Sequence, residues 1–203
     1  MRITDAETDE LADYLENALG GANHCVYKNY PQKDGSVIGT ASRIGFPRPD
    51  VTTSCTFGLA HTDWTDRNFP DRIEFVGAWN DVKVEYSLVL AVVAREAIRQ
   101  HVLPKPGVIF ADAIKAAALE GSSLAPLASR MPHVLVLFPY LWDKVFDKCD
   151  LQGHRVWFLQ IVPLFDDERD HIERYGFEAF EEILSFEGAR FVDLKRLSHA
   201  GTF

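Results

Sequence analysis

The sequence predicts an α+β sandwich, a mixed central β-sheet with helices packed on it, in a single domain spanning residues 1–203. Three observations lead there. The run "HRVWFLQIVPLF" is apolar on both alternating faces, which places it centrally in a sheet covered on both sides. Other stretches repeat apolar residues at helical spacing. Strand-like and helix-like segments then follow one another in mixed order, the mark of helices packed on a sheet. At 203 residues and 47% hydrophobic content, the chain is long enough to bury one sizeable core.

The elements follow in order. "TDAETDELADYLENALGG" reads as a first helix, capped by Thr4 or Asp5, with acids in its first turns and Gly20-Gly21 at its end. Leu11, Leu15, Ala18 and Leu19 form its apolar stripe. The next stretch, "HCVYKNYPQKDGSVIGTASRIGFPRPDV", is rich in Gly, Pro and polar residues and promises short strands at best. "TTSCTFGLA" is a strand running into the loop "HTDWTDRNFPD", and "RIEFVGA" is a second strand. In "NDVKVEYSLVLAVVAREAIRQHVL", Tyr86, Val89, Leu90, Val93 and Ala97 keep helical spacing opposite Arg95, Glu96, Arg99 and Gln100. That helix is expected to be capped near Asn80 or Asp81. "PKPG" breaks the chain, and "VIFADAIKAAALEG" is ambiguous, with room for a short helix. "HVLVLFPYLW" is a buried strand ending at Pro139. After a turn at Gly153 comes the central strand, then two short helices separated by Gly176, then a closing strand "RFVDLKR".

Composition excludes several function classes. The formal net charge is −9 and no Lys/Arg block is present, so a phosphate backbone would be repelled; nucleic acid is not expected as a partner, whereas a basic protein surface would be attracted. Cys25, Cys55 and Cys149 are odd in number and lack a C-x-x-C, which argues against a disulfide framework or a cysteine zinc site and fits a reducing cytoplasm. The start "MRITDAETDE" has no apolar segment of a signal peptide, and no apolar run is long enough to span a bilayer; neither export nor membrane insertion is expected.

Candidate chemistry concentrates in two acidic stretches. In "FDDERDH", Asp166, Asp167, Glu168 and Asp170 suit either a divalent cation or an acid–base pair. The structural reading is stronger: Asp166 or Asp167 caps a helix, and the acids complement its dipole. Glu173, Glu178, Glu181 and Glu182 then fall on polar faces opposite Ile172, Phe177, Phe180, Ile183 and Leu184. In "HTDWTDRNFPD", His61, Asp63, Asp66 and Asp71 have residue types that hold metals, but their spacing matches no metal motif. Trp64 and Trp79 lie near loop or strand ends, where an amphipathic aromatic is either a binding anchor or a core residue. No nucleophile elbow, P-loop or dinucleotide fingerprint occurs, so neither a catalytic residue nor a cofactor is expected.

The stretch "VWFLQIVPLFDDERDHIERYGFEAFEEILSFEGARFVDLKRLS" resembles the C-terminal part of the Suppressor of fused domain family. Phe158, Leu159, Ile161, Val162, Pro163, Glu168, Asp193, Arg196 and Ser198 carry the likeness. Upstream, "FGLA" (Phe57 to Ala60), "RIEFVG" (Arg72 to Gly77), "LPKPGVIF" and "VLVLFPYLW" are similar to family segments in the same order. The resemblance covers about residues 53–198 and leaves residues 1–50 as an N-terminal helix and an irregular segment. It implies an α/β sandwich without known catalysis. Animal members grip a peptide of a transcription factor as an added strand. The short bacterial single-domain type, which this chain is most similar to, implies an immunity protein or related component of a toxin–antitoxin system. The expected partner is therefore a protein, either a toxin domain or an extended peptide, with Asp63, Trp64, Asp66, Trp79 and Asn80 as contact residues. A metal-dependent enzyme using His61, Asp63 and Asp66 and a peptide-binding adaptor are the alternatives.

Overall fold

Eight strands form one mixed sheet in the structure, a computed structural model that describes residues 4–32, 36–80, 84–118, 123–186 and 191–199. They are β1 (Val26–Pro31), β2 (Val37–Ile44), β3 (Thr52–Phe57), β4 (Arg72–Trp79), β5 (Ile109–Phe110), β6 (His133–Leu137), β7 (Lys148–Asp150) and β8 (Arg155–Leu164). The helices are α1 (Asp5–Ala18), α2 (Ser87–Gln100), α3 (Ala113–Ala117), α4 (Ala125–Ala128), α5 (Asp166–Tyr175) and α6 (Phe177–Phe186). The sheet order is β1-β2-β3-β4-β8-β6-β5, with β7 also on β8.

The apolar run that reads as central is central. β4 and β8 pair in parallel, from Arg72 opposite Val156 to Val76 opposite Gln160, and β6 and β7 share the other flank of β8. Alternation then sends Leu159 and Ile161 to one core and Val156, Phe158, Val162 and Leu164 to the other side of the sheet. On the first side lies α2, whose Val89, Leu90, Val93 and Ala97 are buried as their spacing predicts. On the second side, α1 covers the first half of β8, and α5 with α6 covers the second half. Leu11, Leu15 and Leu19 form the buried stripe of α1. Thr4 caps that helix in a full capping box: its hydroxyl accepts from the Glu7 N–H (3.2 Å), and the Glu7 carboxylate accepts from the Thr4 N–H (2.8 Å).

Four expectations need correction. The stretch after α1 is not irregular but a six-residue and an eight-residue strand, antiparallel and extending the sheet. Pro31 and Gly39 lie within these strands, Gly45 turns the chain after the second, and polar residues such as Lys28, Asn29 and Thr40 are interspersed among the apolar ones, so local composition concealed it. Among the described residues the closing strand is absent: Phe191–His199 runs as turns and irregular backbone, held by side chains from other elements. α2 is not capped at Asn80; it starts at Ser87 behind a 3₁₀ turn, and Asp81 lies outside the described residues. α5 has Phe165 at its N-cap, with Asp166 and Asp167 in the first turn, where they complement the dipole. The side chain of Leu184 also lies outside the described residues.

Candidate protein-interaction surface

A buried carboxylate organises the loop between β3 and β4. Glu74 is fully buried on β4. Its Oε1 accepts from the Gly58 N–H (2.8 Å) and the Ala60 N–H (3.0 Å), and its Oε2 accepts from the Thr56 hydroxyl (2.5 Å). The two N–H groups open the 3₁₀ turn Leu59–His61, so Glu74 caps the start of the loop from within the core. Burial pushes the Glu74 carboxyl up to about 7, against the downward pull of its hydrogen bonds. Gly58 sits at φ 120°, and a Cβ there would lie 2.8 Å from the Val37 carbonyl, so the turn needs glycine.

The expected contact residues separate into supports and surface. Trp64 is fully buried in the α2-side core, its indole stacked on His101 at the end of α2 with ring centroids 5.4 Å apart. Trp79 is 1% exposed and packs on Tyr86 at 4.5 Å. Both indoles are therefore core residues, the second of the two readings their positions allowed. Asn80 is exposed but engaged. Its Nδ2 donates to Asp193 Oδ1 (3.0 Å), its Oδ1 accepts from the Leu194 N–H (3.1 Å), and its own N–H donates to the Val192 carbonyl (2.7 Å).

The acids of the loop hold it in shape. Asp63 Oδ1 accepts from the N–H and hydroxyl of Thr65 (3.0 and 2.9 Å) and lies 3.4 Å from the buried Arg72 guanidinium. Asp66 pairs with His101 (2.7 Å), and that contact holds its carboxyl below the usual range. His61 approaches Thr8 of α1, with Nε2 at 3.5 Å from the hydroxyl. Asp71 Oδ2 accepts from the Trp157 indole N–H (2.7 Å), so the four groups weighed as metal ligands face four different partners. Among the described residues, no group of three His, Cys, Asp or Glu side chains is placed to hold a metal ion.

The second acidic stretch is also structural. Glu168, on α5, is fully buried and takes a two-pronged ion pair from Arg196 (2.5 and 2.9 Å) together with the N–H groups of Phe165 (3.1 Å) and His199 (3.0 Å). Arg196 also donates to the Pro163 carbonyl (2.9 Å) and lies over the rings of Phe165 and Phe191. Asp166, beside it, receives His133 (2.9 Å) and stays at the surface. A carboxylate this fully used has no lone pair left for catalysis or metal binding.

Among the exposed apolar side chains that the sequence reading missed are Phe138, Tyr140 and Leu197, which are 64%, 40% and 83% exposed. Nothing local marks them, because each sits in an apolar or ordinary stretch that reads as core or loop.

With this geometry in hand, comparison with known proteins gives a consistent result. The sequence model described as Suppressor of fused protein (SUFU) matches residues 36–197. The chain belongs to the Suppressor of fused family. The match begins within the β1–β2 hairpin, upstream of the segments that carry the resemblance in the sequence. A curated relative, Immunity protein YqcF of Bacillus subtilis (strain 168), is 26% identical over 200 residues, covering 98% of this chain and 99% of that protein. Among solved structures, a putative SUFU homologue from Neisseria gonorrhoeae FA 1090 superposes with a TM-score of 0.69 at 15% identity, over 97% of this chain and 98% of the other. A chain in a Sufu–Fu complex does so with the same TM-score and identity, over 97% and 93%. Drosophila Suppressor of Fused matches with a TM-score of 0.56 at 16% identity; this chain spans about half of it, 51%. At these identities the structural likenesses establish the fold alone.

The sequence pieces that carry the family likeness have physical roles in the fold. Glu74 and Gly58 build one buried clasp, and Glu168 and Arg196 build another. Asp193 joins the end of β4 to the C-terminal segment through Asn80. Among the described residues, no helix is long and apolar enough to cross a membrane.

Proposed function

We propose that this chain is a non-enzymatic protein-binding domain that acts as an immunity protein, neutralising a cognate bacterial toxin by covering its active surface. The observation that carries the reading is the likeness to Immunity protein YqcF along nearly the whole of both chains. The side-chain chemistry supports it. The buried carboxylates Glu74 and Glu168 are committed to clasping the fold, and the loop acids to holding the loop. The net charge of −9 favours a basic target, since charge complementarity speeds encounter and suppresses wrong partners. Within the loop from His61 to Asp71, the exposed edges of Asp63 and Asp66 add to the negative charge that attracts such a target, with Trp64, Trp79 and Asn80 fixing the loop and the adjoining strand end beneath it.

The test is co-expression with the product of the adjacent gene. That product alone should arrest growth, and this chain should restore growth and co-purify with it in a complex. A harmless neighbour, or toxicity that persists with no complex formed, sinks the immunity reading.

A further inference from the structure

The sheet face that carries Val156, Phe158, Val162 and Leu164 is covered by two helical units with a seam between them. α1 packs over the first half of β8, and α5 with α6 packs over the second. Two irregular segments fill the seam. One is the excursion 138–147 that separates β6 from β7 along β8; the other is Phe191–His199. Phe191 belongs to the α5–α6 cluster and Val192 to the α1 cluster, so the second segment crosses from one to the other.

Apart from Val26, Tyr27, Val37 and Ile44 on the edge pair β1–β2 and Tyr175 on α5, the exposed large apolar side chains among the described residues lie on these two segments: Phe138, Tyr140 and Val145 on the first, Leu197 on the second. Soluble proteins leave clusters of this kind open mainly where something docks. These anchors are also pre-ordered. The Tyr140 N–H donates to Gln160 Oε1 (3.4 Å), and its ring meets Phe191 edge-on at 6.4 Å. Phe191 lies under the Arg196 guanidinium at 5.0 Å, and Arg196 in turn donates to the Leu197 carbonyl (3.2 Å) while clasping Glu168. The ring of Tyr140 and the backbone of Leu197 therefore stand on one buried ion-paired hub. Anchors presented from a fixed support lose less entropy on binding, as the central residues of an interface should.

The flanks specify the occupant. α1 contains no Lys or Arg, and its Asp5, Asp9 and Asp13 are exposed. α6 likewise contains none, and its Glu178, Glu181 and Glu182 are exposed. Lys144, Lys148 and Lys195 are the exposed lysines of the seam region and are outnumbered by these acids. We propose that the seam is the docking surface for a basic protein, with Phe138, Tyr140 and Leu197 seated in apolar contact and the acids of α1 and α6 meeting Lys and Arg side chains on either side. This rests on the protein-binding reading above and names the surface and partner chemistry it uses.

The experiment measures binding of the full chain to the purified product of the adjacent gene by calorimetry at two salt concentrations. Leu197→Asp should weaken binding about tenfold or more with an unchanged melting temperature, because the side chain is 83% exposed and makes no core contact. Phe138→Asp provides the same reading should the Leu197 variant melt early. Asp9→Asn with Asp13→Asn should weaken binding a few-fold and flatten its salt dependence. Arg95→Asp, on α2 across the sheet, should leave affinity unchanged to within about twofold. If the wild-type chain binds but the Leu197 and Phe138 variants bind equally well, the seam is not the surface and only this assignment falls. Asp66→Lys abolishing binding in their place would locate the interface on the loop. If the wild-type chain does not bind, the immunity reading and this surface fall together.

Discussion

At the scale of single residues, the fold is marked by carboxylates placed where water does not reach. Glu168 is tolerable there because Arg196 and two backbone N–H groups satisfy it. Arg196→Met removes the counter-charge and leaves the acid stranded, so chemical denaturation should show a loss of about 3–5 kcal/mol. Replacing both partners with apolar residues of similar volume should cost less than the single change, and a double-mutant cycle would show it. Glu74 and Glu7 respond to pH in opposite directions. An unfolded Glu titrates near 4.5, and Glu74 titrates near 7 in the folded chain. Between those values the folded state keeps a proton the unfolded state has lost, so the Glu74 contribution to stability falls as pH rises through that window. Glu74→Gln should remove this decline from a pH series of denaturation midpoints. Glu7 is a different case. Burial raises its carboxyl, but bonds from Thr4 and His154 outweigh that and hold it at about 2. Its contribution is complete above 4.5 and is lost as pH falls toward 2, and a Glu7→Gln variant should lack that acid-side loss.

At the scale of elements, what the sequence made legible was periodicity. α1, α2, the two C-terminal helices and β8 were readable because each buries a stripe or a pair of faces whose spacing survives in the primary structure. The β1–β2 hairpin was not, since an edge pair with one exposed side carries Lys28, Asn29 and Thr40 among its apolar residues and reads as loop. Trp64 was ambiguous for a related reason: its neighbours are loop-like, and only the packing of His101 over its ring shows that it points inward. The role of Asn80 was hidden because its partner, Asp193, lies 113 residues away. Capping obeyed local rules at Thr4, where Thr4→Ala should cost about 1 kcal/mol by denaturation. The turn at Gly58 is a stricter element. Gly58→Ala meets both a left-handed backbone and the Val37 carbonyl, so it should cost about 1–3 kcal/mol and loosen the loop, which hydrogen exchange at Leu59–His61 would register.

At the scale of the whole molecule, the two faces of the sheet differ in how they are closed. One is sealed chiefly by α2 and the short helices after it, with its large aromatics turned inward. The other is covered by two separate helical units, and the segments joining them leave apolar side chains in water. The asymmetry puts acids and exposed anchors together on the second face, so the proposed basic partner would find both charge and shape complementary there. Raising the salt concentration should therefore slow association far more than it speeds dissociation, a pattern that stopped-flow mixing would resolve.

The clasp between Glu168 and Arg196 has a consequence for biosynthesis. The acid is added to the growing polypeptide 28 residues before its cation. A nascent chain that has reached α5 already holds a carboxylate bound for the interior and nothing to neutralise it. Until Arg196 emerges, the C-terminal half of the sheet cannot close over that acid without the penalty of an unpaired buried charge. The order of synthesis thus delays completion of this half of the core, and a message that stops between the two residues would yield a product open to quality-control proteases.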